Sequence, residues 1–87
     1  MEIKYSEKAV KQIKQISMGD KKSARMILET IEKYAQDPTK HFDVKVLKGK
    51  FGEFRRLRVG KYRIIFDDAG HVMLIYEVKH RQEAYNG

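Results

Sequence analysis

The sequence has 87 residues, which is enough for one small domain spanning 1–87 with a single hydrophobic core but too few for two. Lys and Arg number 19 against 12 Asp and Glu, and the formal charge of +7 favours polyanionic partners, with nucleic acid ahead of an acidic protein. There is no cysteine, which excludes disulfides and cysteine zinc sites. No apolar run nears the roughly 18 residues of a membrane span, which excludes membrane-spanning helices.

The first half of the sequence predicts a short strand followed by two amphipathic helices. Glu2–Tyr5 alternates polar and apolar residues, as expected for a strand. Apolar residues then recur at helical spacing over 9–16 and again over 24–35. Between these stretches we expect Gly19 to end the first helix in a left-handed C-cap and Asp20 to cap the second helix. The two helices form an αα-hairpin whose apolar faces need a sheet to pack against.

The next segment predicts a β-hairpin with one apolar and one basic side. Its two alternating runs are separated by Gly60-Lys61, and glycine at the first turn position favours a type II′ turn. That turn sets Val59 opposite Tyr62 and Arg58 opposite Arg63. The apolar side then carries Leu57, Val59, Tyr62, Ile64 and Phe66, and the basic side carries Arg56, Arg58 and Arg63. Like charges directly opposite each other destabilise a pair of strands, so Arg58 and Arg63 favour binding of an anion between them. The alternative interpretation is an ordinary solvated sheet face covered by the aliphatic parts of the arginine side chains.

A strand is predicted on each side of this hairpin. Val44–Leu47 precedes it, followed by a loop over Lys48–Gly52. The loop lysines, Lys48 and Lys50, can approach a phosphate backbone, although the loop lacks the spacing of a nucleotide-binding P-loop. After the hairpin, a three-residue loop over Asp68–Gly70 leads into the last strand.

The register of the last strand decides which of its side chains join the basic side. The predicted loop sets three pairs opposite each other: Phe66 with Val72, Ile64 with Leu74, and Tyr62 with Tyr76. The side chains that then lie beside Arg63 are Met73, Ile75, Glu77 and Lys79. A one-residue slip would move them all to the other face.

The order of the elements predicts an α+β fold. An N-terminal strand and an αα-hairpin precede a mainly antiparallel twisted sheet, with the helices on one face and the other face open. An open face lined by Arg and Lys suits single-stranded nucleic acid, because guanidinium binds phosphate in a bidentate manner and stacks on bases. Among three histidines without metal-ligand spacing, only His80 is expected near this face, as a base or as a structural residue. We expect no metal, no cofactor, no membrane partner and a cytoplasmic location.

Three stretches of the sequence closely resemble the RelE/ParE superfamily of bacterial and archaeal toxins. They are Leu47-Lys48-Gly49, the run from Phe54 to Phe66, and Val78-Lys79-His80-Arg81 with Tyr85. The resemblance covers nearly the whole chain. Its middle motif is shared by RelE-like ribonucleases and ParE-like gyrase poisons, whereas His80-Arg81 followed by Tyr85 looks like the RelE branch.

The RelE resemblance implies the toxin of a type II toxin–antitoxin system that cleaves mRNA in the ribosomal A site. In this reaction the 2′-hydroxyl attacks the adjacent phosphate. The ribosome, mRNA and a cognate antitoxin are the implied partners. The alternatives are a ParE-like poison of DNA gyrase and a RelE-fold binding protein without catalysis.

The resemblance also implies roles for individual residues. Arg63 matches the Arg that stabilises the phosphorane-like charge, and Arg81 matches the Arg proposed to help the leaving 5′-oxygen. Arg56 falls on a catalytic Lys of the family, and Tyr85 on the Tyr thought to position or activate the nucleophile. RNA binding is expected from Lys48, Lys50, Phe54, Arg58, Lys79 and His80. Phe54 is a departure, because the best-studied branch has a second catalytic Lys there, and Tyr85 lies closer to Arg81 than in that branch.

Overall fold

The computed structural model describes residues 1–49 and 52–81, with side chains over 1–47 and 54–81. Within these residues the elements are β1 (Glu2–Tyr5), α1 (Glu7–Gly19), α2 (Lys21–Gln36), β2 (Val44–Gly49), β3 (Gly52–Val59), β4 (Tyr62–Asp68) and β5 (Val72–His80). The strands form one sheet in the order β1-β5-β4-β3-β2, antiparallel except for the parallel pair β1 and β5. Neither helix in the described part of the chain is long and apolar enough to cross a membrane.

Both helices pack on one face of the sheet. The buried side chains form one cluster: Ala9, Ile13, Ala24, Ile27, Ile31, Tyr34, Ala35, Leu57, Val59, Ile64, Phe66, Met73, Ile75 and Val78. Those from α1 and α2 follow the three-four spacing of an amphipathic helix, and those of β3 and β4 follow the period of two of a half-buried strand. The predicted α+β fold with one open sheet face is confirmed.

The helices begin at side-chain caps. Ser6 Oγ accepts a hydrogen bond from the N–H of Ala9 at 3.0 Å, and Asp20 Oδ1 accepts one from the N–H of Ser23 at 3.1 Å. The expected left-handed Gly19 is wrong. Asp20 ends α1 with φ −152° while its N–H donates to the carbonyl of Ile16 at 2.7 Å, so the last turn of α1 closes without a left-handed residue.

The β3–β4 hairpin has the predicted register. Val59 pairs with Tyr62 and Arg58 with Arg63. Gly60 has φ +56° while Lys61 has a negative φ, which is the pattern of a type II′ turn. On the other side of β3, the ladder with β2 continues to Gly49 opposite Gly52, so the predicted Lys48–Gly52 loop is wrong in extent. Both glycines belong to strands because the ladder continues further than the apolar alternation does.

The predicted register of β4 and β5 is wrong. Asp68 pairs with Met73 and Phe66 with Ile75, and then a β-bulge at Tyr76 shifts the ladder so that Ile65 pairs with Glu77. The cause lies in the turn: the N–H of Ala69 donates to the carbonyl of Val72 at 3.0 Å, so Ala69 and Val72 lie opposite each other across a two-residue turn, Gly70-His71, which replaces the predicted three-residue loop Asp68–Gly70. Met73 and Ile75 are therefore fully buried instead of lying on the open face. The bulge adds one residue and returns Glu77 and Lys79 to the predicted side.

Where strand β1 ends, helix α1 lies along the edge of β5. Strand β1 pairs with β5 only as far as Tyr5 opposite Ile75. Beyond that point Ser6 Oγ donates to the carbonyl of Tyr76 at 2.6 Å, and Oε1 of Gln12 accepts from the N–H of Val78 at 2.7 Å. These bonds fix the first turns of α1 beside the half of β5 that carries the basic side chains.

Candidate nucleic-acid interface

The basic face is the side of the sheet that the helices leave open. We use this name for Phe54, Arg56, Arg58, Arg63, Ile65, Tyr76, Glu77 and Lys79. Arg58 lies opposite Arg63, and Arg63 lies opposite Lys79. Because neighbouring strands are about 4.8 Å apart, these three cations form a row about 10 Å long across β3, β4 and β5. We call Arg58, Arg63 and Lys79 the cationic row; it brings fixed positive charge to one place, as an anionic backbone requires.

Arg56 is held by an acidic neighbour from outside the basic face. Its Nη2 lies 3.2 Å from Oδ1 of Asp43, in the loop before β2. The Arg56 side chain is 18% exposed and that of Asp43 is 56% exposed, so solvent screens the pair from one side only. The pair orients Arg56 and reduces the positive charge that this residue offers an anion. Sequence reasoning missed Asp43, since it lies thirteen positions from Arg56 and becomes a neighbour only when β2 pairs with β3.

Glu77 places a carboxylate beside the cationic row. Its Oε2 lies 3.7 Å from Nζ of Lys79, and its Oε1 lies 3.2 Å from Nζ of Lys8 on α1. The sequence predicted Glu77 on this side of the sheet, and the structure confirms that position. Its partners are two lysines, one of them from a helix that sequence reasoning assigned to the opposite side of the sheet.

An aromatic pair adjoins the arginines. The rings of Phe54 and Tyr76 meet edge to face, with centroids 5.1 Å apart and an interplanar angle of 81°. Both residues are partly exposed, so their rings can contact a base. The sequence assigned Tyr76 to the core. The β-bulge brings it to the basic face instead, and bulges leave no mark in the apolar pattern that could have revealed this.

His80 lies on the helix side of the sheet, so the expectation that it joins the basic face is wrong. It pairs with Tyr62, and the two rings meet edge to face with centroids 5.3 Å apart. Its side chain lines a cavity of about 400 Å³ together with Gln12, Gln15, Ile16, Tyr62 and Val78. The reason is the period of two: Lys79 lies on the basic face, so the next side chain faces the helices.

The end of β5 brings Arg81 close to the β3–β4 turn. The N–H of Arg81 donates to the carbonyl of Lys61 at 2.7 Å, and the Arg81 side chain is exposed. This hydrogen bond places Arg81 at the end of the sheet where Arg58 and Arg63 lie. Lys50 and Tyr85 fall outside the described residues. For Lys48 only the backbone is described, and it pairs with Glu53.

Comparisons with known proteins identify relatives over nearly the full chain. Residues 3–85 match the family described as the ParE toxin of the type II toxin-antitoxin system parDE. Toxin RelE3 from Methanocaldococcus jannaschii is 27% identical over 86 residues, which are 99% of this chain and 97% of that protein.

Solved structures give the same picture of the fold. The archaeal RelE-RelB complex from Pyrococcus horikoshii matches with a TM-score of 0.72 and 27% identity, covering 92% of this chain and 93% of that one. The YoeB dimer from Staphylococcus aureus matches with a TM-score of 0.77 at 18% identity, covering 92% and 95%. At the lower identity the match shows a shared fold.

Proposed function

The chain belongs to the RelE/ParE superfamily of type II toxin–antitoxin toxins, and from this premise we propose that it is a ribosome-dependent mRNA endoribonuclease. Toxin RelE3 and the RelE of the RelE-RelB complex support the RelE side of the superfamily. The cationic row carries the proposal within the structure, since it offers three positive charges to one stretch of RNA backbone. The chain then acts as a single domain, 1–87, in the cytoplasm, where a cognate antitoxin neutralises it.

The proposed reaction is a transesterification within the RNA. The 2′-oxygen forms a bond to the adjacent phosphorus while the bond from phosphorus to the 5′-oxygen breaks. The products are a 2′,3′-cyclic phosphate and a 5′-hydroxyl. One proton leaves the 2′-hydroxyl and one is taken up by the 5′-oxygen, and the phosphorane-like transition state carries extra negative charge on its equatorial oxygens.

The basic face supplies the electrostatic part of this reaction. Arg63 lies at the centre of the cationic row, and we assign it to the phosphorane-like charge, because preorganised positive charge there acts mainly in the transition state. We assign Arg81 to the leaving 5′-oxygen, Arg56 to the phosphate and Tyr85 to the 2′-hydroxyl. Since His80 faces the helices, the proposal does not use it as the base.

RNA binding is assigned to the remaining side chains of the basic face and to the two lysines after β2. Arg58 and Lys79 flank Arg63 and bind backbone phosphates. Phe54, paired with Tyr76, offers a ring for stacking a base. Lys48 and Lys50 extend the phosphate contacts.

A translating lysate tests the proposal. Wild-type protein, released from its antitoxin, is expected to cut mRNA only when the message is being translated, leaving 2′,3′-cyclic phosphate ends. Arg63→Ala and Arg81→Ala should abolish cleavage and growth arrest while the circular dichroism spectrum stays that of the wild type. Wild-type toxicity in both variants would refute these assignments.

A second candidate function is inhibition of DNA gyrase. The family description, which names the ParE toxin, favours it. Supercoiling by purified gyrase, measured beside mRNA cleavage with the same protein sample, separates the two functions. Loss of supercoiling with intact mRNA would reject the ribonuclease. Binding to programmed ribosomes with neither effect would favour a RelE-fold protein without catalysis.

A further inference from the structure

Helix α1 carries an unbalanced row of lysines. Lys8, Lys11 and Lys14 follow each other at three-residue spacing, all three are exposed, and Glu7 is the one acidic residue of the helix. Like charges three residues apart on a helix repel each other and reduce its stability. A helix that keeps such a row gains from an anion bound along it.

Lys8 connects this row to the basic face. Its Nζ lies 3.2 Å from Oε1 of Glu77, whose Oε2 lies 3.7 Å from Nζ of Lys79 in the cationic row. The connection is possible because β1 ends at Tyr5, so α1 itself borders the edge of β5. The Lys8 side chain is 66% exposed and so remains accessible to a ligand.

We propose that single-stranded RNA bound on the basic face continues over the edge of β5 onto α1, where Lys8 and Lys11 bind its backbone phosphates. This inference rests on the proposed function, which makes RNA the ligand. Lys8 and Lys11 are one helical turn apart, about 4.5 Å along the axis, so their flexible side chains can contact neighbouring phosphates. Glu77 occupies the position between Lys8 and Lys79 when RNA is absent, and a phosphate replaces it when RNA binds.

The chemistry around Lys8 and Lys11 favours RNA over an acidic protein. Their neighbours on that side of α1 include the amides of Gln12 and Gln15, and the apolar residues that share a cavity with these amides, Ile16, Tyr62 and Val78, are buried or half-buried. Beyond Gln15 a single apolar side chain, Met18, is strongly exposed, so this side of α1 offers few apolar anchors. A helical protein partner would need such anchors, whereas phosphate contacts need only accessible cations. The exposed apolar side chains Val10 and Leu28 line a groove on the α2 side of α1, beside Lys14.

Lys14 therefore provides a matched control. The double variant Lys8→Ala/Lys11→Ala is compared with Lys14→Ala/Lys33→Ala, which removes the same charge from exposed positions on the α2 side of α1 and on α2 itself. Fluorescence anisotropy measures binding of labelled RNAs of 4 and 12 nucleotides, blocked against cleavage by 2′-O-methyl groups, between 50 and 200 mM salt. Thermal unfolding checks that each variant folds.

The expected result is a loss specific to the longer RNA. Each phosphate contact contributes roughly 0.7 to the slope of log affinity against log salt for a single strand, so Lys8→Ala/Lys11→Ala should reduce the slope for the 12-mer by about 1.4. The slope for the 4-mer and the slopes of the control variant should stay within about 0.3 of wild type. Glu77→Gln should tighten binding of the 12-mer several-fold.

Other outcomes overturn the inference. An unchanged 12-mer slope, an equal reduction for both RNAs, or an equal reduction in the control variant would each show that α1 contributes no local phosphate contacts. Any of these results leaves the proposed function standing. If the wild-type protein binds neither RNA, the inference fails, whereas the proposed function fails only if mRNA remains uncut in the translating lysate. A loss of antitoxin affinity with normal RNA binding would assign the lysines to the antitoxin and overturn the inference.

Discussion

Replacing Arg63 with alanine tests the proposed chemistry most directly. The variant removes the central charge of the cationic row, where the phosphorane-like charge is proposed to develop. A unit charge about 4 Å from a guanidinium near a protein surface gains about 4 kcal/mol at an effective dielectric constant of about 20. Part of this gain is already present in the ground state, so we expect a loss in kcat of about 10²- to 10³-fold, the range measured when one oxyanion donor is removed elsewhere.

The same substitution is expected to leave the fold stable. Arg63 lies opposite Arg58 on one side and Lys79 on the other, and each like-charge pair opposes folding. Losing these repulsions offsets the packing that is lost with the arginine stem, so the Tm should remain within a few degrees of wild type. Stability and activity therefore respond differently to one substitution.

Single-turnover cleavage on programmed ribosomes provides the assay. The matched control is Arg63→Lys, which keeps the charge but loses the planar fork, and we expect its rate to lie between those of the wild type and Arg63→Ala. A rate for Arg63→Ala within about tenfold of wild type would refute the electrostatic role. A rate loss accompanied by a large fall in Tm would show that Arg63 acts through the fold.

Three further substitutions test individual contacts. Asp43→Ala releases Arg56 from a partly exposed ion pair, so RNA should bind more tightly, the salt slope should steepen by about 0.7, and stability should change by less than about 1 kcal/mol; unchanged binding would show that Arg56 does not contact phosphate. Burial raises the pKa of Tyr34 above its ordinary 10.0. The stabilisation from neutral Tyr34 is therefore present below pH 10 and lost as the pH rises through the raised pKa, so the alkaline fall in Tm should be shallower in Tyr34→Phe; an equally steep fall would contradict this. Phe54→Lys should raise the cleavage rate if a lysine is needed there, while loss of the ring pair with Tyr76 costs about 0.5–1.5 kcal/mol; a slower reaction would show that the ring itself contributes.

Turn chemistry explains why one hairpin could be predicted from sequence and the next could not. Gly60 and Lys61 lie between two alternating runs, so loop length, turn type and register all follow from local residues. Before β5 the turn residues are less specific, and Val72–Tyr76 is five apolar residues in succession. Such a run has no alternation, so either face could be buried, and only packing against the helices and β1 decides between them.

The site was predictable to the extent that it depends on that first hairpin. The opposition of Arg58 and Arg63 follows from the two-residue turn, and Lys79 was placed correctly beside them. The contacts of Arg56 with Asp43 and of Glu77 with Lys8 join residues far apart in sequence. Such long-range pairs depend on how elements pack, which composition and local spacing do not determine.

The bulge at Tyr76 divides β5 into two halves with independent requirements. Before the bulge, Met73 and Ile75 must be buried under the helices while this half of β5 pairs with β1. After the bulge, Lys79 must lie opposite Arg63 on the basic face. The extra residue determines which side chains of the second half face the ligand, given that Met73 and Ile75 of the first half are buried in the core. Removing one residue here would turn the second half of the strand over and bury charged side chains, so the chain tolerates substitutions at Tyr76 far better than a change in length.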